Sequence, residues 1–120
     1  MWPSQPRPEA SACVVSLSGD LDLLVVDELR LALQRATDEQ RNLILDLAEV
    51  RFVDSTGLGV LVRAAQATRN NGGVTCVTAP SAFFLTVLQT MRLERLFQGF
   101  RSVDEALVWL GEQDRVSEHR

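Results

Sequence analysis

Two neighbouring stretches decide the fold. Asn42-Leu43-Ile44-Leu45-Asp46-Leu47 is an almost unbroken apolar run, and Asp54-Ser55-Thr56-Gly57-Leu58-Gly59 follows it as a small polar loop. The first has the composition of a central strand covered on both faces. The second opens an amphipathic helix, because Leu58, Leu61, Val62 and Ala65 recur at helical spacing up to Asn70 and Asn71-Gly72-Gly73 supplies the stop. Between them, residues 48–53 read as a short turn.

Working outward from this pair, the chain alternates. Cys13 to Leu17 is β-branched and short, a strand ended by Ser18-Gly19 and the acidic loop Asp20-Leu21-Asp22. A helix follows, starting within Leu23 to Asp27, with Val26, Leu29, Leu33 and Ala36 inward and Asp27 and Glu28 suited to its first turn. On the other side, Val74 to Thr78 reads as a strand. Pro80-Ser81 caps a helix with Phe84, Val87, Leu88 and Met91 inward, and Phe97 to Arg101 reads as a short edge strand. Ser102-Val103-Asp104-Glu105 is a capping box for a last helix that buries Val103, Ala106, Leu107 and Leu110. Such alternation specifies an α/β domain with a mostly parallel sheet of four to five strands and about four helices. The expected boundaries are a flexible Pro-rich lead at residues 1–11, a domain at 12–113 and a polar tail at 114–120. Pro3, Pro6 and Pro8 leave any strand in the lead short or absent.

At 120 residues, with 46% hydrophobic and 23% charged residues, the chain builds one core. A net charge of -4, with the arginines scattered and no lysine, argues against nucleic acid as a partner. No apolar run is long enough to insert in a membrane, and the N-terminal residues lack the pattern of a secretory signal, so the expected location is cytoplasmic. Cys13 and Cys76 have no metal-site or CxxC spacing and read as buried small apolar residues, with a redox-sensitive pair as the alternative. Trp2 and Trp109 are candidate surface anchors, Trp109 the better suited to pack beside the last helix.

Catalytic constellations are scarce. Neither GxGxxG nor GxxxxGKS/T occurs, and the sole histidine, His119, sits at the polar end, so a serine nucleophile has no base. Asp20, Asp22 and Asp54 suit turns and helix caps, or else a phosphoryl-accepting site on Mg²⁺, which in receiver domains also uses a lysine. The loop Asp54 to Gly59 places Ser55 at a helix start, where its hydroxyl either caps the helix or faces solvent. Two adjacent hydroxyls where one cap would do, and two glycines that bare the backbone, favour approach by a partner.

Leu43 to Leu47, Phe52 to Leu61, the earlier Ser18-Gly19-Asp20-Leu21-Asp22 and the later Arg101 to Leu107 together resemble, in order, a STAS domain of the anti-sigma factor antagonist type. The resemblance spans roughly residues 13–112. It implies a partner-switching protein that is not an enzyme and carries no cofactor or metal. The unphosphorylated form would bind an anti-sigma factor serine kinase of GHKL type and release the sigma factor. Phosphorylation of Ser55, with Thr56 as a secondary acceptor, would switch binding off, and a PP2C-type phosphatase would restore it. Asp22, Asp54, Ser55, Thr56, Gly57, Leu58 and Gly59 would form the binding surface. The same family also includes scaffold subunits of stress-sensing complexes and soluble subunits of lipid transporters, which remain the alternatives.

Overall fold

The computed structural model describes residues 2–118. Strands β1 (Ser4–Arg7), β2 (Ala12–Leu21), β3 (Asn42–Val53), β4 (Thr75–Thr78) and β5 (Gln98–Phe100) form one sheet in the spatial order β1-β2-β3-β4-β5. β1 runs antiparallel to β2, and every other neighbouring pair is parallel. Among the described residues the α-helices are α1 (Val26–Glu39), α2 (Ser55–Asn70), α3 (Ala82–Thr90) and α4 (Val103–Glu118), so the expected α/β architecture is present.

Strand periodicity divides the core. Cys13, Val15 and Leu17 of β2, with Leu43, Leu45 and Leu47 of β3, face α1, α2 and α3. Val14, Ile44 and Cys76 face the other way, against Ala106 and Leu110 of α4. Residues 43–45 are all fully buried, as a strand covered on both faces demands. Asn42, at the start of β3, is the polar pin of this layer. Its backbone N–H donates to the Ser11 carbonyl at 2.8 Å, its Nδ2 donates to the Ala10 carbonyl at 3.1 Å, and its Oδ1 accepts from the Val74 N–H at 2.8 Å. Burial of this amide is tolerated because its hydrogen bonds are made.

Helix ends behave as their residues dictate. Ser81 Oγ accepts from the Phe84 N–H at 3.1 Å to start α3, and Ser102 Oγ accepts from the Glu105 N–H at 3.2 Å to start α4. Glu105 returns the contact, its Oε1 accepting from the Arg101 N–H at 3.0 Å, one residue before the site of an ideal capping box.

Several expectations are corrected. The Pro-rich lead is not free: Ser4–Arg7 pairs with β2, and the Pro6 ring sits opposite Cys13. An edge strand tolerates proline because one side of it needs no ladder bond, and Pro8 then begins a 3₁₀ turn, where a missing N–H costs nothing. Residues 48–53 are not a turn but the second half of β3, paired with the extension of β2 through Ser18 to Leu21. Two irregularities in register, around Leu17 and between Gly19 and Asp20, carry that extension past the glycine read as a strand end. Met91 lies exposed at the end of α3 rather than inward. Trp2 is no free anchor, since it packs partly buried against the larger core, and Trp109 stacks at a tilt on Phe100 at 5.5 Å. The polar tail is, through Glu118, the end of α4, and Asp114 forms an ion pair with Arg41. His119 lies outside the described residues.

The cysteines are now decided. Cys13 lies opposite Leu43 and Cys76 opposite Ile44, so a whole strand separates them, about 9–10 Å at the usual strand spacing. They also face opposite sides of the sheet, so they cannot form a disulfide. Burial raises both thiol pKa values, that of Cys76 to about 12, while Glu39 beside Cys13 adds to the burial effect there and a hydrogen bond with Ser4 opposes it. Both thiols should therefore resist Ellman's reagent in the native protein and react together once guanidinium unfolds it. A raised folded pKa means that the unfolded chain loses its proton first. Stability should accordingly fall as pH rises from 9.0 towards about 12, as chemical denaturation across that range would show.

Candidate functional site

The long β2–β3 pairing determines where the site lies. It carries Leu21 and Val53 side by side to the end of the sheet, so the loop after β2 and the start of α2 emerge together. This is the carboxyl end of two parallel strands, the usual place for binding loops in such sheets.

Asp54 joins the two. As N-cap of α2 it has extended backbone (φ -90°, ψ -179°), and its Oδ1 accepts from the Gly57 N–H at 2.9 Å. Its Oδ2 accepts from the Leu23 N–H at 3.3 Å, and its own N–H donates to the Leu21 carbonyl at 3.1 Å. Asp22 shapes the same loop from within: its Oδ1 accepts from the Leu24 N–H and its carbonyl from the Val25 N–H, both at 3.1 Å. Asp22 and Asp54 thus meet through the loop backbone. Asp20 instead faces Arg51 at 3.7 Å, and among the described residues no three His, Cys, Asp or Glu side chains gather as a metal site.

With Asp54 as the cap, Ser55 is released from that duty. It is the first helical residue and is exposed, while Thr56 is half-buried. The first intrahelical bond runs from the Leu58 N–H to the Asp54 carbonyl at 2.9 Å, so the amides of Ser55 and Thr56 lie at the electropositive end of the helix dipole.

A model of the STAS domain family matches residues 5–106. The chain belongs to the STAS domain family.

Solved structures place this STAS domain among similar folds. A proposed anti-sigma factor antagonist from Thermotoga maritima is similar at a TM-score of 0.80 and 18% identity, over 91% of this chain and 93% of that one. An anti-sigma-factor antagonist STAS domain protein from Planctomyces limnophilus gives 0.79 and 20% identity, over 91% and 96%. The Bacillus cell fate determinant SpoIIAA, in its phosphorylated form, gives 0.70 and 22% identity, over 97% and 99%. At these identities the likeness establishes a shared fold.

The two glycines of the STAS loop differ in kind. A Cβ on Gly57 would lie 2.1 Å from the Leu21 carbonyl oxygen, so only glycine lets α2 start against the end of β2. A Cβ on Gly59 would meet nothing within 4 Å, and the residue is exposed. By sequence the two are alike as bare backbone; packing separates a structural glycine from one that the fold does not need. Leu58 is buried in the core and supports the loop from beneath. Of the range Leu23 to Asp27 that the sequence offers for the start of α1, the helix takes Val26, which leaves Leu23 and Leu24 exposed in the loop before it.

In urea denaturation, Gly57→Ala should lose about 1–3 kcal/mol through overpacking against backbone. Gly59→Ala should gain about 0.5–1 kcal/mol from helix propensity. Asp54→Ala should cost about 1–2 kcal/mol, the value of a lost cap.

Proposed function

We propose that this STAS domain is an anti-sigma factor antagonist, a phosphoprotein switch whose unphosphorylated form binds an anti-sigma factor serine kinase of GHKL type and frees the sigma factor. Phosphorylation of Ser55 ends that binding, and a PP2C-type phosphatase restores it. The reading is carried by one observation: Ser55 is an exposed hydroxyl at a helix start whose cap is already supplied by Asp54. A serine needed as a cap would be held by its own helix; this one is available to an enzyme. SpoIIAA, which shares the fold, has been solved in unphosphorylated and phosphorylated forms, which accords with the reading.

Physical chemistry explains why a phosphoryl group switches binding without unfolding the domain. It adds a charge of about -1.5 to -2. In the free protein this charge sits in water at a helix N-terminus, where the dipole returns about 0.3–1 kcal/mol. On docking, water leaves, and repulsion from the neighbouring Asp54 and Asp22 carboxylates strengthens as the effective dielectric falls. A loss of about 3–5 kcal/mol of binding follows, roughly two to three orders of magnitude in affinity. Thr56, half-buried, is the poorer acceptor and serves as the secondary one.

Gly59 adds to the surface. A glycine within a helix, unneeded by the fold, costs stability and leaves room for a partner's backbone.

The test is direct. Serine kinases of GHKL type from the source genome are incubated with the protein and ATP-Mg²⁺, and the phosphoryl group is located by peptide mapping. Ser55 should carry it, and Ser55→Ala should abolish it while retaining kinase binding. Ser55→Asp should bind at least about 100-fold more weakly in calorimetry. Modification elsewhere with Ser55 untouched, or equal affinity of both forms, would remove this function and leave a scaffold or transporter-subunit role.

A further inference from the structure

The loop between β2 and α1 carries the two most exposed large apolar side chains among the described residues, Leu24 at 91% and Leu23 at 68%. They are adjacent, and their backbone is fixed. Asp54 Oδ2 holds the Leu23 N–H, Asp22 Oδ1 holds the Leu24 N–H, and the Asp22 carbonyl holds the Val25 N–H. Two adjacent exposed leucines on one fixed turn form a compact apolar patch, the kind of surface on which a partner gains contact by covering it.

We propose that Leu23 and Leu24 are the apolar anchor by which the kinase partner holds this domain, seated in an apolar cleft beside its active site. The inference rests on the reading of Ser55 as a kinase substrate. Its physical basis is the tether: the carboxylate that pins Leu23 belongs to Asp54, the residue immediately before Ser55. A kinase that closes on the Ser55 hydroxyl must also meet this loop. Because the turn is already ordered, burying the leucines gains the apolar contact at little conformational cost. A second copy of this chain is the poorer occupant. The leucines are flanked by the Asp22 and Asp54 carboxylates in a chain of net charge -4, and face-to-face pairing would oppose these charges. The partner's cleft is therefore apolar at its floor and free of acidic groups at its rim.

The experiment uses the full chain and the kinase identified by phosphorylation of Ser55, comparing wild type, Leu24→Ser, the Leu23→Ser/Leu24→Ser double variant, and Val108→Ser as an exposed control on α4, across the sheet. Thermal melts of the variants should match wild type, because neither leucine packs in the core. KM for phosphorylation should rise about tenfold or more for Leu24→Ser and further for the double variant, with kcat within about twofold and Val108→Ser unchanged. An unchanged KM, or a fall in kcat alone, overturns the anchor while leaving Ser55 a substrate. A wild-type dimer in sedimentation that Leu24→Ser converts to monomer would give the leucines to self-association and also overturn it. If no kinase modifies Ser55, the reading beneath the anchor falls, and the anchor with it.

Discussion

A single carboxylate links the two halves of the candidate site. Asp54 caps α2 with one oxygen, holds the loop after β2 with the other, and ties its own amide to the end of β2. Each bond alone contributes about 1 kcal/mol, as is typical of such contacts. Together they fix the distance between a helix start and a neighbouring loop, which is the geometry that a protein partner would read. Gly57 makes the arrangement possible, since any side chain there would collide with the Leu21 carbonyl and push α2 away from β2.

The same arrangement frees Ser55. Helix starts need acceptors for their unpaired amides, and serine is one of the residues that commonly fills this role. Here aspartate fills it, so the hydroxyl one residue later has no structural duty. Under the proposed function, stability and switching fall to different side chains, and a charge could be added to one without dismantling the other. Gly59 and the leucines at 23 and 24 extend the pattern: each is a feature that the isolated fold would be as stable, or more stable, without.

The rest of the molecule supports this end. Two apolar layers, one beneath α1, α2 and α3 and one beneath α4, hold β2 and β3 at the centre of the sheet. The Asn42 hydrogen bonds lock the far end of the same strands. Cys13 and Cys76 serve these layers as buried thiols on opposite faces, with no exchange open between them.

From the residues alone, the order of strands and helices, the parallel α/β class and the place of Ser55 at a helix start were legible, because periodicity and capping are local. Residues 42–47 could be little else than a central strand, and Ser81 and Ser102 announced their helices. Three features were not legible: the pairing of β1 despite its proline, the continuation of β2 and β3 past Gly19, and the double grip of Asp54. The first is a pairing across the short Pro8 turn that the proline composition of the lead conceals. The other two depend on hydrogen bonds between residues far apart in the chain, and no local pattern records which distant backbone will supply a partner. The exposure of Leu23 and Leu24 belongs with these. By sequence, Leu23 and Leu24 stand within the range where α1 could start; the structure begins α1 at Val26 and leaves both in solvent, on a loop held by the distant Asp54.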